Sequence, residues 1–255
     1  MAPTEIHNRA ARSVRKTPLP NVARPNGLQR LKARLLSWQL PHGSVDDLLD
    51  RHMVLNFAEK SLIFQQGAPG DVVYWLRAGL VDVISRDAKR GDVLVEVAGP
   101  GDLLGFMDLD AKGDGRRQTF TARARTRCEI GLLTRERISF VLDKLPPNVL
   151  VPLAEYINVW WSEKMERWVR FVRLNARERL ESVLAELAEK CGVDDTCGTL
   201  IVPEFSHEDF ASMIACSRPM VTRLLFEMVA QGHLLRRDRR YILCERQTNS
   251  RFSMA

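Results

Sequence analysis

Between residues 53 and 134 the chain keeps returning to one device. A run of about four to six β-branched, aromatic or leucine residues is closed by a glycine- or aspartate-bearing turn, as in "SLIFQQGAPGDVVYWLRAGLVDVISRDAKRGDVLVEVAGPGDLLGF". Strands this short and this closely punctuated bury their apolar faces by curling into a barrel or jelly roll, so the first large unit is expected to be all-β. The pattern then changes. From Pro146 to about Leu174 there is no glycine, and Ile157, Trp161, Met165, Trp168 and Val172 recur at steps of three and four. That spacing is close to a heptad seam and predicts a long helix that associates with a second copy of itself.

The last fifth of the chain carries the most specific signal. "SHED", Ser206 to Asp209, is a capping box opening a short helix that ends near Ile214. Ala215-Cys216-Ser217 makes a turn, and "CSRPMVTRLL" opens a second helix with Ser217 as its capping residue and Pro219 in the first turn, where a missing N–H is not needed. Val221, Leu224, Leu225 and Met228 form its buried stripe. Arg218, Thr222 and Arg223 fall on the outer side, and Gly232 stops the helix. "HLLRRDRRYILCER" follows as a β-hairpin with a basic tip. Two helices about a tight turn, the second holding two arginines outward beside a basic hairpin, form a winged helix-turn-helix arranged for double-stranded DNA.

Charge alone does not make that case. The net charge is +6, but residues 1–44 hold eight Lys or Arg against one Glu, so the excess lies in the tail and the remainder is nearly neutral. The proline-bearing tail is expected to be disordered. No apolar run approaches the roughly 20 residues of a membrane span, no secretory leader is evident, and a cytoplasmic protein is expected. Five cysteines, at 128, 191, 197, 216 and 244, show no C-x-x-C pair or zinc-finger spacing, and read as free thiols, with Cys191 and Cys197 as the alternative redox pair. No nucleophile–base, phosphate-loop or paired-carboxylate constellation stands out, so an enzyme is not expected, nor a metal site.

In combination these pieces resemble the cAMP-receptor-protein/FNR family of bacterial transcription regulators over residues 45–246. "FQQGAPGDVVYWLRAGLVDV" and "GPGDLLGF" resemble its β-roll, and "FSHEDFASMIACSRPMVTRLLFEMVAQGHL" its helix-turn-helix. The resemblance implies an α+β chain in four parts: a basic tail (1–27), a cyclic-nucleotide-binding-like β-roll with N-terminal helices (28–145), a dimerisation helix (146–174) and a winged helix-turn-helix (175–255). It implies a homodimer on a pseudo-palindromic operator, with RNA polymerase as a further partner and no membrane. Ser206, Ser217, Arg218, Pro219, Met220, Thr222, Arg223, Arg236 and Arg237 are the positions implied to meet DNA.

The effector site departs from the family pattern. Gly105, Arg117, Gln118 and Thr119 mark where a ligand would sit. Phe106 stands where cAMP binders place a ribose-binding glutamate, Gln118-Thr119 stands where they place an Arg-Ser or Arg-Thr pair for the cyclic phosphate, with Arg117 one residue out of register, and Lys164-Met165 replaces the adenine-facing hydroxyls. A buried phosphate without a paired cation is costly, so no cAMP cofactor is expected. Arg123, Arg125 and Arg127 alternate along one strand face, either as a solvated basic edge or as contacts for a more anionic ligand such as a cyclic dinucleotide. The competing reading is a sensor of such a ligand whose main output is a protein contact. Cysteine-ligated iron–sulfur sensing is not expected, since no cysteine precedes residue 128, and lone His42 and His52 make haem a weak alternative.

Overall fold

The computed structural model describes residues 53–70, 72–89, 91–105, 117–143, 158, 162, 165, 168–169 and 171–244. The two N-terminal helices expected from the sequence, Phe106, Lys164, and Ile157 and Trp161 of the seam lie outside the described residues.

Eight strands precede the first described helix: β1 (Met53–Phe57), β2 (Leu62–Phe64), β3 (Val72–Ala78), β4 (Val81–Asp87), β5 (Gly91–Ala98), β6 (Leu103–Leu104), β7 (Thr121–Ala124) and β8 (Cys128–Thr134). They form two antiparallel four-stranded sheets, ordered β1-β8-β3-β6 and β2-β7-β4-β5. Leu76 and Ile130 from one sheet and Val81, Ala122 and Ala124 from the other share a core, which is the expected roll. Gly131 lies directly across from Trp75, and a Cβ there would stand 1.8 Å from the indole nitrogen, so only glycine lets that fully buried ring lie over its partner strand.

Helix α1 (Arg135–Asp143) leaves the roll. Helical backbone recurs at residues 158, 162, 165, 168–169 and 171–173. The C-terminal unit comprises α2 (Ala176–Cys191), β9 (Gly192–Asp195), β10 (Gly198–Ile201), α3 (His207–Met213), α4 (Arg218–Ala230), β11 (Leu234–Arg237) and β12 (Arg240–Leu243), with its sheet ordered β11-β12-β10-β9. Cys191 and Cys197 flank the four-residue strand β9, about 13 Å of extended chain, which keeps them apart. No described helix is long and apolar enough to cross a membrane.

The two units share a continuous apolar core. On β4, Val81 and Val83 pack into the roll, while Ile84 joins Leu94 and Val97 of β5 against Leu184, Phe210, Ile214 and their neighbours. Leu94 and Val97 are three residues apart and would ordinarily face opposite ways. The ladder skips Val95, pairing Leu94 with Ile84 and Glu96 with Val83, and this bulge brings both side chains to the C-terminal unit.

Polar ties ring this contact. The Leu94 N–H donates to Ser212 Oγ at 3.1 Å. Lys190 on α2 donates to Glu96 Oε1 and to the Val97 carbonyl, both at 2.9 Å, with Glu186 at 3.0 Å. Burial disfavours its charge, but the carboxylates of Glu96, Glu186 and Asp102 outweigh that and raise its pKa.

The strongest tie corrects the sequence expectation for the basic strand. Strand β7 ends at Ala124, and Arg125, instead of lining up with Arg123 and Arg127, turns inward with 12% of its side chain exposed. Its Nε donates to Asp82 Oδ1 on β4 at 2.5 Å, and its two terminal nitrogens take both oxygens of Asp209 on α3 at 3.3 and 3.0 Å. The guanidinium lies 4.5 Å over the Phe205 ring. It is neither solvated nor free for a ligand. Burial outweighs the pull of Arg125 on Asp82 and leaves that carboxyl above its ordinary value. At Asp209 burial loses to the hydrogen bond and charge of Arg125, helped by Ser206, and the carboxyl is held low.

Removing one member of a buried ion cluster strands the others. Arg125→Ala is therefore expected to cost about 3 kcal/mol in urea unfolding, and adding Asp82→Asn should recover part of it. A loss below about 1 kcal/mol, at the level of an exposed pair, would contradict the buried tie.

Candidate nucleic-acid interface

The capping box predicted at Ser206 is present. The Asp209 N–H donates to Ser206 Oγ at 3.0 Å and the Ser206 N–H to Asp209 Oδ2 at 2.8 Å, so the carboxylate that accepts Arg125 also fixes the start of α3. The chain reverses through Ala215, whose φ of 51° is left-handed, and enters α4 at Arg218. Ser217 occupies the capping position but its hydroxyl makes no capping hydrogen bond, contrary to expectation; Pro219 in the first turn is as expected. Val221, Leu224, Leu225 and Met228 are buried.

Opposite that stripe, Arg218, Pro219, Thr222, Arg223 and Phe226 are exposed and Met220 is half-buried. Arg223 is steadied by its own helix: Nη2 lies 3.2 Å from Met220 Sδ and Nε 3.6 Å from Glu227 Oε1. The hairpin β11–β12 brings Arg236 and Arg239 to the edge of an open cleft of about 660 Å³ that also takes in Ser206, Arg218 and Tyr241. Arg237, expected to act with Arg236, points elsewhere and donates to both oxygens of Asp195, at 2.5 and 3.3 Å. That pairing lowers the Asp195 pKa.

His207 was not among the sequence-derived site residues, yet it joins the parts of this surface. Its Nδ1 lies 2.8 Å from Thr222 Oγ1 on α4, and its Nε2 lies 3.0 Å from the Tyr241 hydroxyl on β12. Thr222 passes its own proton to the Arg218 carbonyl at 3.0 Å, so its oxygen accepts from Nδ1–H and leaves Nε2 to accept from Tyr241. One imidazole thus links the first helix, the second helix and the wing. Its position inside "SHED" was the only sequence signal, and the two partners lie 15 and 34 residues away.

At the expected effector site, Gly105 (φ +87°) and Gln118 come together: a Cβ on Gly105 would lie 3.2 Å from Gln118 Oε1. Gln118 is buried, its main chain pairing with Gly67 and Ala68. Arg117 donates to the Gly67 carbonyl at 2.9 Å, and Thr119 is exposed.

Comparison with known proteins places these two units. Residues 54–144 match the cyclic nucleotide-binding domain, and residues 178–248 match the Crp-like helix-turn-helix domain. A roll of the first kind feeding a helix-turn-helix of the second defines a transcription regulator of the CRP type. The chain belongs to the CRP/FNR family. It is 24% identical over 212 residues to the CRP-like protein Clp of Xanthomonas euvesicatoria pv. vesicatoria, covering 81% of this chain and 90% of that protein. Among solved structures it is similar to CLP of Xanthomonas campestris, described as a c-di-GMP-responsive global regulator, with a TM-score of 0.62 at 21% identity over 80% of this chain and 99% of that one. FixK2 of Bradyrhizobium japonicum gives a TM-score of 0.61 at 18% identity, over 77% and 94% of the two chains.

Burial, and then the charges of Arg236 and Arg218, depress the His207 pKa below the ordinary histidine value near 6.5. A folded value below the unfolded one means that the linkage stabilises the fold above the ordinary value and is lost as pH falls through the depressed one. In an NMR titration of the free protein His207 is expected to titrate below 6.5, and Arg236→Ala should move its midpoint upward. A midpoint unchanged by that substitution would contradict the placement of Arg236 beside the ring.

Proposed function

We propose that this chain acts as a cytoplasmic homodimer that binds a pseudo-palindromic DNA operator without cAMP. The observation that carries DNA binding is the convergence of Arg218 of α4 with Arg236 and Arg239 of the hairpin on one cleft, with Arg223 exposed further along the same helix. A helix with its apolar side fixed and its outer side basic fits the major groove, with arginines to guanine edges or phosphates. Ser206, Ser217 and Thr222 supply shorter polar contacts. Pro219 has no side-chain acceptor, so the base pair opposite it is met by apolar contact alone.

Dimerisation is supported by the exposed apolar side chains of the helix before α2. Met165, Trp168, Val169 and Val172 are 45, 59, 44 and 80% exposed, a stripe that a second copy of the same helix would cover. Two copies then offer their α4 helices to half-sites about one DNA turn, roughly 34 Å, apart. Contact with RNA polymerase would follow from activation at such a site.

The effector reading rests on Gln118. A neutral carboxamide, packed beneath Gly105, occupies the position where the family pattern places the phosphate cation, and Arg117 is committed to the roll's own backbone. A cyclic dinucleotide is the second reading, favoured by likeness to a relative so described.

Selection from a random pool of duplexes should enrich a two-fold symmetric site in the absence of any nucleotide; lack of enrichment would refute the reading. Trp168→Glu with Trp161→Glu should sediment as a monomer and lose at least tenfold in affinity for that site. In calorimetry cAMP should give no heat of binding at micromolar concentrations, and a cAMP-dependent gain in operator affinity would overturn the effector reading. Binding of a cyclic dinucleotide in the same cell, with displacement from or recruitment to DNA, would establish the second reading.

A further inference from the structure

We propose that Phe226, together with Pro219, reads thymine through its 5-methyl group, giving this protein an apolar specificity element in the middle of its DNA-facing helix. The inference rests on the DNA-binding reading above and names what one part of that surface recognises.

Phe226 is 74% exposed, on a helix whose other large apolar side chains are buried or half-buried. Its angular position gives this meaning. At about 100° per residue the buried stripe of Val221, Leu224, Leu225 and Met228 has a mean direction. Pro219 and Phe226 lie within about 30° of the direction opposite to it. They are seven residues apart and so nearly in line, about 10 Å along the axis. Thr222 and Arg223 flank the line on either side. Any surface that docks on the outer side of α4 meets this proline and phenylalanine together with Arg223, which lies as near the outward direction as Phe226 does.

A phenylalanine in that place cannot donate to or accept from a base edge, and it has no charge for a phosphate. In the major groove the apolar feature is the thymine methyl, for which aromatic and small apolar side chains are the matching contacts. The neighbouring charges point to nucleic acid as the occupant: Arg218 and Arg223 share the helix, and Arg236 and Arg239 border the cleft beside it. A protein partner docking on the same phenylalanine would have to accommodate those arginines as well. The 10 Å between Pro219 and Phe226 corresponds to about three base steps at 3.4 Å each, so the two contacts fall on separate base pairs of one half-site.

The test uses the full chain and the duplex it selects. Thymines of the selected half-site are replaced one at a time by deoxyuridine, which removes the methyl and keeps every hydrogen-bonding group. Wild type is expected to lose about fourfold in affinity at one or two positions, the equivalent of withdrawing one buried methyl from contact. Phe226→Ala should bind the unsubstituted site more weakly and lose the deoxyuridine sensitivity at one of those positions, while guanine preferences persist. Phe226→Leu, which keeps an apolar tip, should retain part of it. Because the side chain is exposed, these variants are expected to unfold as wild type does. The proposal is overturned if deoxyuridine is neutral at every position in wild type, or if Phe226→Ala keeps the full sensitivity. It is also overturned if Phe226→Ala changes the sedimentation of the protein but not its base preferences, which would assign the phenylalanine to a protein contact. Failure of wild type to enrich any sequence would refute the DNA reading itself and is seen before any substitution is made.

Discussion

The architecture turns on a single buried cation. Arg125 belongs to the roll, yet two of its four hydrogen bonds go to Asp209 of the first helix of the helix-turn-helix, and the other two to Asp82 and the Glu204 carbonyl. Around it the two units share Ile84, Leu94 and Val97 as common core. Rigid-body motion between roll and DNA-binding unit is the usual way such a chain would change state. Here that motion would uncover apolar surface, strip Asp209 of Arg125 and part Lys190 from Glu96, so the arrangement described is one discrete docking and not a point along a loose hinge. A ligand that displaced it would need to bind the alternative arrangement more tightly by at least the free energy of that contact.

Much of this was legible in the sequence because the signals are local. The roll follows from runs and turns, α3 from the capping box of Ser206 and Asp209, and the stripe of α4 from helical spacing. What escaped has a common cause. Alternation sorts Arg123, Arg125 and Arg127 to one face only while the strand lasts, and it ends at Ala124. The skipped residue in β5 resets which side chains face outward, and no composition rule marks it. Arg237 looked equivalent to Arg236, but neighbouring residues on a strand face opposite ways, and Asp195 waits on the far side.

The DNA-facing surface likewise depends on contacts that spacing cannot show. His207 is half-buried, linked to a threonine of the second helix and a tyrosine of the wing, and so fixes the three pieces relative to each other. The arginines are what sequence reading finds, because charge is visible residue by residue. Their common orientation is set by an imidazole whose partners are distant in the chain. Charge supplies attraction to a polyanion, whereas the fixed geometry of these neutral groups is what lets a base edge be distinguished from its neighbour.

Strand β4 carries a consequence for how such a sequence can change. Val81 and Val83 answer to the interior of the roll, Ile84 to the DNA-binding unit, and Asp82 to Arg125 where the two meet. A one-residue insertion or deletion inside it would exchange the two sets, placing a carboxylate in the roll's core and a valine against Arg125. Length variation is therefore tolerable in the turn between β4 and β5, where residues 88 and 89 are exposed, and ruinous a few residues earlier. The strand holds both units to the same phase, so that a replacement on one of its faces bears on one unit while a change in its length bears on both.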